Sequence, residues 1–359
     1  MGLNSVFMSN KKFWRNKKVL ITGHTGFKGS WLSLWLENLE SDVCGISLEP
    51  PTKPSIFNEA KIKNCLRHEI ADICNFDNLK KIMNEFKPEI IIHMAAQPLV
   101  LYSYQAPLET YKTNVIGTAN VLEAARLQNS VRSIVCVTTD KCYENREWAW
   151  GYREDEPMGG FDPYSSSKGC AELVASSYRS SFLKSAGIGI ATARAGNVIG
   201  GGDWAPDRLV PDILKAFEGG QAAEIRNPNA IRPWQHVMEP ISGYLMLAES
   251  LYKDPLNASE AWNFGPNDHD FKPVSWIADR LSKRWGGAAN WISEPGNYPH
   301  EATYLKLDIS KVKQRFNWKP TWNLNTSLEN IVEWHKSWIN GENMRNVTIE
   351  QIKKFRSTK

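Results

Sequence analysis

The chain has 359 residues, 42% hydrophobic and 23% charged, a globular composition that allows about two domains and excludes disorder, collagen and a mini-protein scaffold. Its 43 Lys and Arg against 39 Asp and Glu leave a net charge of +4 with no long basic block, so no nucleic acid partner is expected. No stretch approaches the ~20 apolar residues of a membrane span. Met1 to Lys18 is polar and basic, which predicts no secretory signal and a cytoplasmic protein. Six scattered cysteines, with no Cys-x-x-Cys pair and no His at ligand spacing, predict a reducing compartment and no metal. The 15 tryptophans fall mostly in helical or core-like patterns and read as packing.

In chain order, Lys18 to Thr22 is a short apolar β-rich run ending at glycines, and Gly29 opens a segment with Trp31, Leu32, Trp35, Leu36 and Leu39 at helical spacing. Asp42–Ser47, Glu89 to Met94, Ser133 to Thr138 and Gly189 to Arg194 read as further strands, each preceded by a helical stretch. Continuous apolar strands alternating with helices predict a Rossmann-type, doubly wound parallel α/β sheet. Beyond Asn197 the chain becomes richer in Gly, Pro and Trp. The expected division is a dinucleotide-binding domain over 1–200 and a smaller α/β substrate-binding domain over 201–359, with Trp262 to Gly265 and Leu305 to Asp308 as short strands.

Gly23, Gly26 and Gly29 form G-x-x-G-x-x-G between a strand and a helix. Such a turn lets a pyrophosphate approach the backbone and the helix N-terminus. His24, Thr25, Phe27 and Lys28 complete the turn. The acid that usually holds the adenosine ribose would lie at the end of the second strand, where Ser47 stands, followed by Glu49. NAD is the expected cofactor, although His24 and Lys28 could serve an extra phosphate. Asp72 either bonds the adenine amine or caps its own loop.

Tyr164 and Lys168 are four residues apart, one turn of one helix face. A phenol must drop about three pKa units to ionise near neutrality, roughly 4 kcal/mol. A lysine at about 4 Å in a partly shielded site supplies a similar amount.

At these residues the chain resembles the extended short-chain dehydrogenase/reductase family and, within it, the nucleotide-sugar 4,6-dehydratases. The resemblance runs from Thr22–Gly29 through His93–Gln97, Thr113–Thr118, Thr138–Tyr143 and Tyr164–Lys168 to Ala193–Trp204. It implies NAD as cofactor, with Ala95, Ala96, Gln97 and Asn114 joining the glycine turn, Tyr164 and Lys168 around it. It also implies a mechanism. Tyr164 takes the proton from the hydroxyl on carbon 4 while hydride leaves, Lys168 lowers the phenol pKa, and Thr139 bonds the same sugar oxygen. Asp140 is then the acid for the carbon 6 hydroxyl. The neighbouring position, a glutamate base in the dTDP-glucose relatives, is Lys141 here, so the carbon 5 base is Lys141 or a nearby Glu144 or Glu147, and Lys141 paired with Asp140 is the alternative. Asn197, Arg208, Arg232 and Glu301 match the family's substrate contacts, with the arginine forks suited to paired phosphate oxygens.

The expected substrate is CDP-glucose and the product its 4-dehydro-6-deoxy derivative, a precursor of surface-polysaccharide deoxysugars. A homodimer or homotetramer is expected, joined through a helix at Leu108 to Leu127 and the helix carrying Tyr164. Competing readings are a 4,6-dehydratase for another nucleotide sugar, a nucleotide-sugar 4-epimerase, which needs no acid at Asp140, and a non-catalytic nucleotide-binding regulator.

Overall fold

The computed structural model describes residues 10–293 and 304–358. Seven parallel strands form its main sheet: β1 (Lys18–Thr22), β2 (Asp42–Ser47), β3 (Arg67–Ile70), β4 (Ile90–His93), β5 (Ser133–Val137), β6 (Gly189–Ala195) and β7 (Ala261–Phe264), in the order β7-β6-β5-β4-β1-β2-β3. This is the doubly wound arrangement, with its order reversing between β1 and β4.

Each strand feeds both faces, because successive side chains alternate. Val19, Ile21, Ile90, Ile92, Val135 and Ala191 pack into one apolar layer, while Leu20, Ile91, Ile134 and Ile190 pack into the opposite one. The first layer is covered by α1 (Phe27–Asn38), the second by α2 (Phe76–Phe86), α3 (Gly117–Arg126) and α4 (Pro163–Tyr178). Trp14, Trp31, Trp35, Trp262 and Trp334 are fully buried side chains, whereas Trp150 is 61% exposed.

β3 is absent from the sequence reading for a physical reason. Of its residues Arg-His-Glu-Ile, three are polar and the two ends are exposed, so this edge strand carries no apolar run to detect. Leu305 to Asp308 differs in the other direction: Leu307 makes an isolated bridge to Tyr152 and no ladder.

Beyond residue 200 the chain serves two places. Helices α5 (Leu209–Glu218), α7 (Val274–Trp285) and α8 (Leu324–Ile339), with the paired strands Ala223–Ile225 and Trp291–Ser293, enclose a separate core of Ile213, Phe217, Ile277, Leu281, Leu328 and Ile331. Helix α6 (Met238–Lys253) instead lies on the main sheet, where Ser133 Oγ donates to the Ala248 carbonyl at 2.9 Å. β7 then joins the sheet beside β6. The segment around Trp262 is therefore a buried strand of the nucleotide sheet rather than of a separate tail lobe.

Candidate active site

Turn Gly23–Gly29 leads from β1 into α1. Gly23 has φ +83, and a Cβ there would lie 2.8 Å from Ala95 N. A Cβ on Gly29 would lie 2.1 Å from the Gly23 carbonyl oxygen, so only glycine brings β1, α1 and the post-β4 segment together. Gly26 caps α1 without a side-chain hydrogen bond. The helix thus presents its first N–H groups with nothing from its own cap residue, a cradle that suits a pyrophosphate.

The other residues of the turn face different ways. His24 is buried, its Nε2 2.7 Å from His68 Nδ1 and its ring edge-on to Phe57. Burial lowers its pKa to about 4, so it is neutral at physiological pH. Lys28 instead lines the central cavity, where it faces Lys168, Arg208, Asp140 and Asp203, and burial lowers its pKa to about 7. Neither residue stands at the end of β2. There, Thr25 Oγ1 lies 2.7 Å from Ser47 Oγ and donates to the Leu48 carbonyl. His24, neutral, packs its ring against Gly45 of β2, while Lys28 stays in the cavity.

Asp72 spends one oxygen on the Cys74 amide at 2.8 Å, which is its loop-capping role. Asn114 is 1% exposed and saturated: its Oδ1 accepts from Gln97 N, and its Nδ2 donates to the Gln97 carbonyl and to Ser167 Oγ. The Gln97 side chain is likewise spent on Leu99 and Thr110. Asn114 and Gln97 therefore shape the segment Ala95, Ala96, Gln97 and tie it to α4, leaving its backbone, rather than their side chains, to meet a ligand.

Helix α4 starts at Asp162, whose Oδ1 accepts from Ser165 N at 2.9 Å, with Pro163 in the first turn. Tyr164 and Lys168 share its inner face and are 9% and 6% exposed. Lys168 Nζ donates to the Val137 carbonyl at 3.0 Å, and burial lowers its pKa to about 8. Burial raises the Tyr164 pKa to about 12, against the pull of a hydrogen bond with Thr139. Desolvation is the largest influence on the phenol.

Thr139, two residues past the end of β5, caps the turn Asp140–Cys142, its Oγ1 accepting from Lys141 N at 3.3 Å and donating to Asp140 Oδ1 at 2.9 Å. Asp140 is 3% exposed, and its Oδ2 has no hydrogen-bond partner among the described residues. Burial raises this carboxyl above its ordinary range, opposed by Lys141, Thr139 and Arg232. Burial thus favours the protonated form, and a carboxyl in that form with an oxygen open to the cavity can deliver a proton. Gly196 leaves room for it, since a Cβ there would lie 3.0 Å from Asp140 Oδ2.

A cavity of about 310 Å³ connects these groups, lined by Lys28, Thr139, Asp140, Lys141, Tyr164, Asn197, Arg208 and Arg232. Glu144 is turned toward Arg146, 3.4 Å away at the surface. Arg208 pairs with Asp203 at 2.8 Å, and Arg232 is buried with its Nη1 on the Ile231 carbonyl. Asp203 and Gly196 escaped sequence reasoning, although Asp203 stands five residues before Arg208. Glu301 lies outside the described residues.

A parallel sheet with a glycine cradle at its switch point, and a buried Tyr-x-x-x-Lys helix facing an acid, defines a dinucleotide-dependent enzyme of the short-chain dehydrogenase/reductase type. The model of the GDP-mannose 4,6 dehydratase family matches residues 20–331, and the chain belongs to that family. It is 53% identical to a CDP-glucose 4,6-dehydratase of Salmonella typhimurium over 98% of this chain and 99% of that protein. Among solved structures it is similar to a UDP-glucose 4-epimerase of Thermotoga maritima with UDP-glucose (TM-score 0.79, 20% identity, 90% of this chain and 99% of the other). It also resembles a dTDP-glucose 4,6-dehydratase of Bacillus anthracis in complex with NAD (TM-score 0.74, 21% identity, 92% and 99%).

Proposed function

We propose that this chain is an NAD-dependent hydro-lyase that converts CDP-glucose to CDP-4-dehydro-6-deoxyglucose. The observation that carries the reading is Asp140, a buried carboxyl with an unpartnered oxygen beside Thr139 and Tyr164. A simple oxidation and reduction at one carbon needs no such acid; expulsion of a hydroxyl as water does. The cytidine moiety rests on the 53% identical relative.

The cofactor fits the glycine cradle, the N-terminus of α1 and the Ala95–Gln97 backbone, with Lys168 and Tyr164 at its reactive end. When bound, NAD supplies the reversible hydride acceptor. Tyr164 accepts the proton of the hydroxyl on carbon 4, Thr139 holds that oxygen, and Lys168 stabilises the phenolate. Lys141 takes the proton from carbon 5, made acidic by the new carbonyl. Asp140 gives its proton to the departing hydroxyl of carbon 6, so water leaves; the hydride taken from carbon 4 would then be returned to carbon 6 and the proton held by Lys141 to carbon 5, which gives the 4-dehydro-6-deoxy product and leaves NAD as it began. Arg208 and Arg232 bind the pyrophosphate and Asn197 the sugar-phosphate end, so nucleotide contacts come mainly from the chain beyond residue 200.

The test is to incubate the purified protein and NAD with CDP-glucose, dTDP-glucose and GDP-mannose in parallel, and to follow loss of one water by mass spectrometry. Loss from CDP-glucose alone is expected. Loss from another sugar nucleotide alone would overturn the cytidine assignment, and loss from none would overturn the dehydratase.

Leu108, Ile116, Leu173 and Phe182 are 84%, 52%, 61% and 44% exposed on the two helical segments flanking the site. Such an apolar surface fits a homo-oligomer. Sedimentation at more than one protomer mass is expected; a single-protomer mass at micromolar concentration would refute it. Among the described residues no helix is long and apolar enough to cross a membrane, and all six cysteines are free. Both fit the cytoplasm.

A further inference from the structure

Glu172 lies two turns beyond Tyr164 and one beyond Lys168, on the same inner face of α4. It is a carboxylate inside the protein: the Glu172 side chain is 5% exposed and that of its partner Arg194 is 4% exposed. Its hydrogen bonds tie α4 to the segment that follows β5 and to β6. Its Oε1 accepts from Thr138 Oγ1 at 2.5 Å, at the end of β5, while its Oε2 accepts from Thr192 Oγ1 at 2.7 Å and Arg194 Nη2 at 2.8 Å, on β6. Arg194 Nη1 in turn donates to the Tyr143 hydroxyl at 2.7 Å and to the Glu154 carbonyl at 2.9 Å. The Tyr143 hydroxyl donates to Asn263 Oδ1 at 2.8 Å, on β7.

Thr138 and Tyr143 bracket Thr139, Asp140 and Lys141. The Glu172–Arg194 pair therefore grips both ends of the acid-base turn and the helix bearing Tyr164 and Lys168. Burying an ion pair is costly, and apolar residues of equal volume would be as stable or more so. Its presence under the reacting groups calls for a role other than stability.

We propose that Glu172 is a positioning residue that, through Arg194, sets the acid-base turn against Tyr164 and places a carboxylate one helical turn from Lys168 on the same face. The inference rests on the dehydratase reading. The groups facing this corner are Lys28 from α1, His93 from β4, Cys136 from β5, Cys142 from the turn, Arg179 after α4 and Arg194 from β6. His93 is held neutral, and burial keeps both thiols protonated. Glu172 is the carboxylate that acts on Lys168, and it opposes the loss of the ammonium's proton.

The experiment compares the wild-type holoenzyme with Glu172→Gln and Glu172→Asp for kcat, KM and the alkaline limb of the pH-rate profile. For Glu172→Gln, kcat falls about 10- to 100-fold with KM within about threefold, as misplacement of reacting groups predicts. Its alkaline limb moves about one pH unit toward acid, because Lys168 loses its nearby negative charge. Glu172→Asp keeps the charge, so its limb stays at the wild-type pH while kcat falls. A Glu172→Gln protein that melts earlier but keeps the wild-type limb, or that keeps its kcat, would overturn the inference. If Glu172→Gln does not fold, Glu172→Asp decides: a displaced limb, a raised KM or an unchanged kcat overturns it. Wild-type protein inactive on CDP-glucose would strike the dehydratase reading instead, so the two failures are distinguishable.

Discussion

Replacing Tyr164 with Phe is expected to lower kcat by about 10³-fold, within the range for loss of a positioned proton acceptor, while nucleotide-sugar affinity changes by no more than a few fold. The ring is buried and its packing survives in Phe, so the fold should persist. What disappears is the oxygen that bonds Thr139 and that, in the proposed mechanism, receives the proton of the hydroxyl on carbon 4. The resting phenol, with its pKa raised to about 12, is protonated at neutral pH, and Lys168 is hydrogen-bonded to the Val137 carbonyl. Oxidation at carbon 4 by wild type, followed by itself in single turnovers, should therefore rise with pH until loss of the Lys168 ammonium, whose pKa is about 8, reverses the trend. Calorimetric titration with CDP-glucose, beside single-turnover assays, separates binding from chemistry. A Tyr164→Phe protein within tenfold of wild-type activity would remove Tyr164 from the mechanism and revive the non-catalytic reading.

Asp140→Asn is expected to separate the two halves of the reaction. Asparagine preserves the volume and can still accept from Thr139 Oγ1, but it has no carboxyl proton to give. Loss of water should fall by about 10² to 10⁴-fold, the usual value of general acid catalysis, while oxidation at carbon 4 continues. The measurement is NMR in deuterated water: deuterium enters carbon 5 of the unreacted sugar while dehydrated product is scarce. The sign with pH follows from burial, which raises the Asp140 pKa above its ordinary value. Water loss is supported below that raised value and declines as pH climbs through it, and this dependence vanishes in Asn. Wild-type rates of water loss from Asp140→Asn would overturn the acid assignment, and loss of deuterium entry together with water loss would point to disrupted geometry. An epimerase would tolerate the substitution.

The fold was legible where burial imposes a pattern. β1, β2, β4, β5 and β6 run through the sheet interior, and their Val, Ile, Ala and Cys must face two apolar layers at once. β3 was not, because a half-exposed edge strand tolerates Arg, His and Glu. Nor was the return of the chain to the sheet at Trp262, since pairing with β6 is settled by a partner some 70 residues away in sequence.

The site divides in the same way. Spacing alone determined the glycine cradle, because three residues apart on one turn is a local constraint, and it determined the shared face of Tyr164 and Lys168, because four residues is one helical turn. Only the tertiary structure decided where each side chain spends its hydrogen bonds and how dry its surroundings are. His24 turned into the core, Lys28 turned into the cavity, Asn114 became saturated, and the Tyr164 pKa rose rather than fell. Glu172 belongs wholly to this second class. From the sequence it is one carboxylate among many on helices; its three donors are Thr138, just past β5, and Thr192 and Arg194 on β6, which only the closed sheet brings to it. Local geometry is written in residue spacing, but desolvation and charge pairing depend on every element that surrounds a group, and those meet only when the chain has folded.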